Sequence, residues 1–192
     1  MSPISPAVPI NPPAWDNELA LVRFRPNADV SRRLEYDSGE GAMTDSMKVV
    51  YELAEWLSSN EDHIAEVQAL SLNPSKPLMG LKATHGLYGS PEWWWSIKEG
   101  RIPTLRREGT ITKLIFAGQD ARRGSEVNSF EFLLEDGSVA LESIYAEKKS
   151  DRQLFRVGAK VSAVYALDEL KRRMPNGNVD KLDILLEMSV SV

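Results

Sequence analysis

Cysteine is absent from this chain of 192 residues. The absence excludes disulfides, thiol nucleophiles and thiolate metal ligands. Long apolar runs are also missing, since nowhere do the roughly 18 apolar residues of a membrane-spanning helix follow one another. The first ten residues contain no Lys or Arg, so we expect no secretory signal peptide. The sequence therefore predicts a cytoplasmic protein.

Strong charge of either sign is missing as well. The chain has 23 Lys and Arg against 28 Asp and Glu, a formal net charge of −5. Hydrophobic residues make up 42% of the chain and charged residues 27%, which is typical of a globular protein with a real core. The acidic excess lies in residues 1–100. Nucleic-acid binding would therefore have to rest on a local basic patch.

The sequence also contains no recognisable catalytic motif. His63 and His85 are the only histidines and have no metal-ligand spacing. No G-x-S-x-G motif occurs, and the glycine pairs lack the context of a phosphate-binding loop. We predict no catalytic residue, no metal site and no cofactor. Paired carboxylates act through their spatial separation, so an enzyme with an unrecognised site stays open as a hypothesis.

The N-terminal part divides into an arm and a mixed portion. Residues 1–14 hold five prolines and predict a disordered arm. Residues 15–102 predict an α+β portion that contains a short strand at 19–25 and a loop at 27–41. A helix is predicted at 45–58 because apolar residues recur at helical spacing there: Met47, Val50, Tyr51, Ala54 and Leu57. Residues 64–72 fit a helix and a strand equally well.

Three consecutive tryptophans are the most unusual feature of the chain. Ser90 and Pro91 are a helix cap and a first-turn proline, and Gly100 suits a helix end, so we predict a helix at 91–99. Adjacent helical residues turn by about 100°, so Trp93, Trp94 and Trp95 cannot all face one core. We predict that two indoles are buried and that the third stays partly exposed as a binding anchor.

Residues 103–192 predict five short antiparallel strands. Alternating apolar residues mark each strand, and Asp136-Gly137 predicts a two-residue hairpin turn with Gly137 at positive φ. The long connections 117–126 and 168–180 and an insertion at 147–158 resemble those of an OB-fold barrel. An SH3-like barrel or an open five-stranded sheet remains an alternative.

The alternation also predicts the core of this β portion. The apolar residues expected on the inward faces of the five strands are Leu114, Phe116, Phe130, Phe132, Val139, Leu141, Val161, Tyr165, Ile184, Leu186 and Met188.

Basic pairs and triplets fall in the predicted long loops. Arg122 and Arg123 lie in the first loop, and Lys171, Arg172 and Arg173 lie in the last. In an OB-fold these loops flank the ligand face, where they would hold a polyanion. The clusters therefore support single-stranded nucleic-acid binding as a second hypothesis.

The leading hypothesis is a non-catalytic binding or adaptor protein of the cytoplasm. The expected partner is another protein, with Trp93, Trp94, Trp95 and the basic loop residues as candidate binding residues. Nucleic-acid binding and an unrecognised hydrolase or transferase are the alternatives. An immunity or inhibitor role is compatible with a small acidic binder, and no feature of the sequence selects it. The oligomeric state is not predicted.

Overall fold

The computed structural model of the protein describes residues 46–116 and 127–192. Several predictions concern residues outside these ranges, namely the arm 1–14, the strand 19–25, the loop 27–41, the connection 117–126, and Arg122 and Arg123.

The described residues form six strands, three α-helices and one 3-10 helix. In chain order they are β1 (Met47–Glu52), α1 (Leu53–Ser58), α2 (Glu61–Leu72), α3 (Pro91–Lys98), β2 (Thr104–Ile115), β3 (Ser129–Leu134), β4 (Val139–Ser143), the 3-10 helix (Lys149–Leu154), β5 (Lys160–Arg173) and β6 (Val179–Ser191).

The first part of the predicted helix at 45–58 is instead a strand. β1 pairs antiparallel with β6, with Met47 opposite Ser191 and Glu52 opposite Glu187, and only Leu53–Ser58 is helical. The helical spacing of the apolar residues was misleading because pairing with the distant β6 overrides the local pattern. The register shifts between Val49 and Tyr51.

All six strands join one antiparallel sheet in the order β1-β6-β5-β2-β3-β4. The predicted five-stranded barrel is therefore wrong, although the α+β class is right. β1 adds a sixth strand beside β6. Among residues 46–116 and 127–192, β4 pairs only with β3, so no ladder between described strands closes the sheet. The segment after β4 still contacts β1, because Glu147 N donates to Val50 O at 3.0 Å and Glu147 Oε1 accepts from Glu52 N at 3.1 Å. The predicted domain boundary between residues 102 and 103 stays a prediction.

The β3–β4 hairpin has a three-residue loop, 135–137, in place of the predicted two-residue turn. Leu134 N donates to Ser138 O at 2.8 Å, and Gly137 N donates to Leu134 O at 3.0 Å. Gly137 has a φ of 82°, so its predicted positive φ is confirmed. The extra residue moves the register by one, and such a slip turns every side chain of a strand to the other face.

This slip corrects part of the predicted core. Val139 and Leu141 are exposed, because Ala140 is the residue opposite the buried Phe132. Leu114 and Leu186 are partly buried and pack against the core, and Phe116 is also only partly buried. The other predicted core residues are buried, namely Phe130, Phe132, Val161, Tyr165, Ile184 and Met188.

The β5–β6 hairpin replaces the long loop predicted at 168–180. β5 continues to Arg173 and β6 begins at Val179. The intervening loop repeats the β3–β4 geometry, because Met174 N donates to Asn178 O and Gly177 N donates to Met174 O. Gly177 also has a positive φ, 83°.

Candidate protein-binding surface

The tryptophan helix α3 begins as the sequence predicts. Ser90 Oγ accepts a hydrogen bond from Trp93 N at 3.2 Å, and Pro91 occupies the first turn. This cap satisfies one of the free N–H groups at the helix start. The helix ends at Lys98, one residue before the predicted end.

Trp93 anchors α3 to the sheet. Its side chain is fully buried, and its indole Nε1 donates to Asp168 Oδ2 on β5 at 2.8 Å. The ring packs edge-on against Tyr88 and Trp94. Because the hydrogen bond and the ring contacts are both buried, they fix the position of the helix on the sheet.

Burial raises the pKa of the Asp168 carboxyl above its ordinary value. The hydrogen bonds from Trp93 Nε1 and from the backbone N of Glu169 oppose this shift, because they stabilise the carboxylate. The Asp168 carboxylate therefore accepts hydrogen bonds from two groups of the protein itself, Trp93 Nε1 and Glu169 N. Its role in the structure is to satisfy the buried indole N–H.

The other two indoles differ in how much of them is exposed. Trp94 is partly buried and packs against the core, whereas Trp95 is 52% exposed. The Lys98 ammonium lies 5.4 Å from the centroid of the Trp95 ring. The prediction that one indole of the three stays exposed is confirmed, but only Trp93 is buried, since Trp94 is partly buried where a second buried indole was predicted. The role of Trp95 in binding stays a prediction.

A second exposed apolar surface lies on the β3–β4 hairpin. Leu133, Val139 and Leu141 are 43%, 60% and 62% exposed, and Leu133 lies opposite Val139 in the ladder. We call these three residues the β3–β4 patch. Sequence reasoning missed it because the two-residue turn placed Val139 and Leu141 in the core. The sequence was compatible with the observed loop, since Gly137 also fits the left-handed position of a three-residue loop.

The charged groups around Tyr165 are engaged within the protein. On the inner face of β4, Glu142 Oε2 accepts a hydrogen bond from Tyr165 Oη at 2.5 Å. The Arg107 guanidinium lies over the Tyr165 ring at 4.8 Å and donates to Asp183 at 2.6 Å. Burial and the neighbouring Glu142 raise the pKa of Tyr165, so the phenol stays protonated and donates to Glu142.

The predicted basic cluster at 171–173 lies on β5, not in a loop, and its cations face partners within the protein. Lys171 Nζ donates to the backbone O of Leu70 at 3.0 Å, and Arg172 Nε donates to Asp180 at 2.5 Å. Arg173 donates to the Gly177 backbone O at 3.1 Å. The prediction of an open basic loop is therefore wrong, because these side chains stabilise the hairpin and the end of α2.

A shallow cavity of about 280 Å³ lies beside the 3-10 helix. Arg152 borders it, but its guanidinium already donates to Val127 O at 2.9 Å. The lining is mostly apolar and contains neither histidine nor carboxylate: Leu114, Val127, Ile144, Lys149, Arg152, Gln153 and Phe155.

Within residues 46–116 and 127–192, no three His, Asp or Glu side chains are grouped so that they could hold a metal ion. In the same ranges, no helix combines the length and the apolar character needed to cross a membrane.

Exposed apolar side chains with polar neighbours, presented on a helix and on a sheet edge, are typical of surfaces that bind other proteins. The comparison with protein families agrees. A family model described as immunity protein RhsI2 matches residues 47–191. The chain therefore belongs to the RhsI2 immunity protein family, which gives it a protein-binding role. No curated protein matches the sequence.

Proposed function

We propose that this chain binds an Rhs toxin and neutralises it by forming a protein–protein complex in the cytoplasm. The observation that carries the proposal is the match to the immunity protein family over residues 47–191. This range begins with the first residue of β1 and ends with the last residue of β6. The proposed activity thus belongs to the sheet and its helices as one unit.

Trp95 is the proposed anchor on the helical side. An indole contributes a large contact area for little loss of side-chain freedom, and Trp is among the residues most often found at binding hot spots. Its helix is fixed on the sheet by the buried Trp93–Asp168 hydrogen bond. A toxin that packs on Trp95 would therefore meet a preorganised side chain, which lowers the entropic cost of binding.

Growth rescue tests the proposal. Cells that express the Rhs toxin countered by RhsI2 immunity proteins should stop growing, and co-expression of the full chain should restore growth. Trp95→Ala should weaken the rescue, because the proposed anchor is removed without a loss from the core. Leu78→Ala is the matched control, since Leu78 is also exposed but lies outside α3 and the β3–β4 patch.

A family member that restores growth serves as the reference for the level of soluble protein. If the wild-type chain reaches the same level and growth is not restored, the proposed function is contradicted. Equal rescue by Trp95→Ala and Leu78→Ala would remove Trp95 from the binding surface and leave toxin binding itself standing.

A further inference from the structure

β4 offers unpaired backbone groups on one side. Among the described residues its only strand partner is β3. Leu134 N donates to Ser138 O at one end of the hairpin, and in an antiparallel ladder the hydrogen-bonded pairs alternate. The backbone groups of Ala140 and Glu142 therefore point to β3, and those of Val139, Leu141 and Ser143 point outward. The Ser143 N–H already donates to Glu142 Oε1 at 2.8 Å, so the free groups within the described ranges are those of Val139 and Leu141. This outward side can hydrogen-bond to one more extended chain.

The opposite edge of the sheet is protected against such pairing. β1 carries Lys48, whose ammonium donates to Asp151 at 2.7 Å, and its register shifts between Val49 and Tyr51. A lysine and a bulge are two devices by which natural sheets block their edges. β4 has the sequence VALES, with no lysine, no proline and a regular register with β3. Both edge strands carry exposed apolar side chains, because Met47 and Val49 of β1 are 41% and 45% exposed. β4 is the edge that lacks a lysine and a bulge, and its charged side chain, Glu142, faces inward to Tyr165.

Side chains around β4 define the chemistry of a segment that would pair there. The β3–β4 patch provides apolar contacts at alternate positions, because Val139 and Leu141 are on the same face of the strand. The Lys113 ammonium lies 3.7 Å from the Glu131 carboxylate, which balances the charge on β3. At the start of β4 the loop exposes two acids, Glu135 and Asp136.

We infer that β4 binds an extended segment of the toxin as an additional antiparallel or parallel strand. This inference rests on the proposed function and names the surface that carries it. The segment has apolar residues at alternate positions, which cover the β3–β4 patch, and a Lys or Arg at the end that meets Glu135 and Asp136. Strand addition of this kind takes affinity from the backbone and specificity from alternate side chains. A second copy of the chain suits the edge less well, because it carries the same net charge of −5.

Two substitutions in the full chain separate side-chain from backbone contributions. Leu141→Lys places a charge in the patch, and Val157→Lys is its control because Val157 is exposed to the same degree, 63% against 62%. Val139→Pro removes an outward N–H and keeps the β3–β4 hydrogen bonds, since proline is tolerated at strand edges on the side that faces solvent. Affinity for the purified Rhs toxin domain is measured by titration calorimetry, and circular dichroism checks folding.

We expect Leu141→Lys and Val139→Pro each to weaken binding by at least about ten-fold, with Val157→Lys unchanged. Wild-type affinity in folded Leu141→Lys would overturn the inference and leave the proposed function intact, and this variant decides if Val139→Pro does not fold. Absence of binding by the wild-type chain would overturn both. A wild-type dimer in light scattering that Leu141→Lys dissociates would overturn the inference in favour of a second copy.

Discussion

Trp93 should be the tryptophan whose loss destabilises the protein most. Truncation of a fully buried indole to Ala costs about 3–5 kcal/mol of unfolding free energy. The same change leaves the buried Asp168 carboxyl without its indole donor, a loss that costs about 1–3 kcal/mol when a buried polar group stays unsatisfied. The two effects overlap, so we expect Trp93→Ala to lose at least about 4 kcal/mol, a large part of the stability of a typical domain.

Trp95→Ala should behave differently, because its indole is mostly in solvent. We expect a loss within about 1 kcal/mol, including the contact with Lys98. Trp93→Phe keeps a ring in the core but removes the N–H donor, so it should lose about 1–3 kcal/mol and stay folded. Urea unfolding followed by far-UV circular dichroism measures all three variants without reliance on tryptophan fluorescence.

A loss of less than about 1 kcal/mol in Trp93→Ala would contradict the burial of this indole, because the value lies far below the expected range for a buried indole. A loss in Trp95→Ala as large as that in Trp93→Ala would contradict the exposure of Trp95 in the same way, because its indole would then be part of the core.

Three further predictions concern the turn, the register and pH. A Cβ at Gly137 meets no atom within 4 Å, so Gly137→Val should lose about 1–3 kcal/mol through backbone strain alone, and a neutral result would contradict the positive φ. Phe132→Ala should lose about 3–5 kcal/mol and Leu141→Ala less than about 0.5, whereas the reverse order would contradict the observed faces. Burial raises the pKa of Asp168 above its ordinary 3.8, so the folded protein binds this proton more tightly than the unfolded chain. That contribution to stability is complete below pH 3.8 and is lost as the pH rises through the folded pKa. Asp168→Asn should therefore gain in unfolding free energy relative to wild type over this window in pH-dependent urea titrations, and a difference that stays flat with pH would contradict the shift.

The hairpins show how far local sequence patterns lead. Asp136-Gly137 correctly marked a turn and a positive φ, but a glycine at that position fits both a two-residue and a three-residue loop. Hydrogen bonding decides between them, since Asp136 Oδ1 accepts from Ser138 N at 2.9 Å. In the second hairpin, Asn176 Oδ1 accepts from Asn178 N in the same way. An acid or amide followed by glycine at both turns was the available signal for this loop.

Long-range pairing accounts for what local patterns missed. β1 has helical spacing of its apolar residues, yet it pairs with β6, more than 130 residues later in the chain. The run 171–173 was predicted to lie in the connection 168–180 between two strands. Lys171 and Arg172 instead bind oxygen atoms that the folded chain brings near. The tryptophan helix could be predicted because its cap, its length and the divergence of its indoles are all local properties.

Only one part of the candidate binding surface, Trp95, could be predicted from the sequence. Exposure of one indole follows from helix geometry, so Trp95 was within reach as a candidate. The β3–β4 patch depends on a register that one additional loop residue changes. The proposed role as an immunity protein rests on the family match, because no sequence motif that we identified indicates it.

Direct titration of the purified Rhs toxin domain with the full chain tests the central claim. Calorimetry should show a 1:1 complex, and toxin activity, assayed in the same mixtures, should fall in proportion to the fraction of toxin bound. Absence of heat and of a shared peak in size-exclusion chromatography at micromolar concentrations would contradict the claim. Binding that leaves the toxin fully active would contradict neutralisation through the complex.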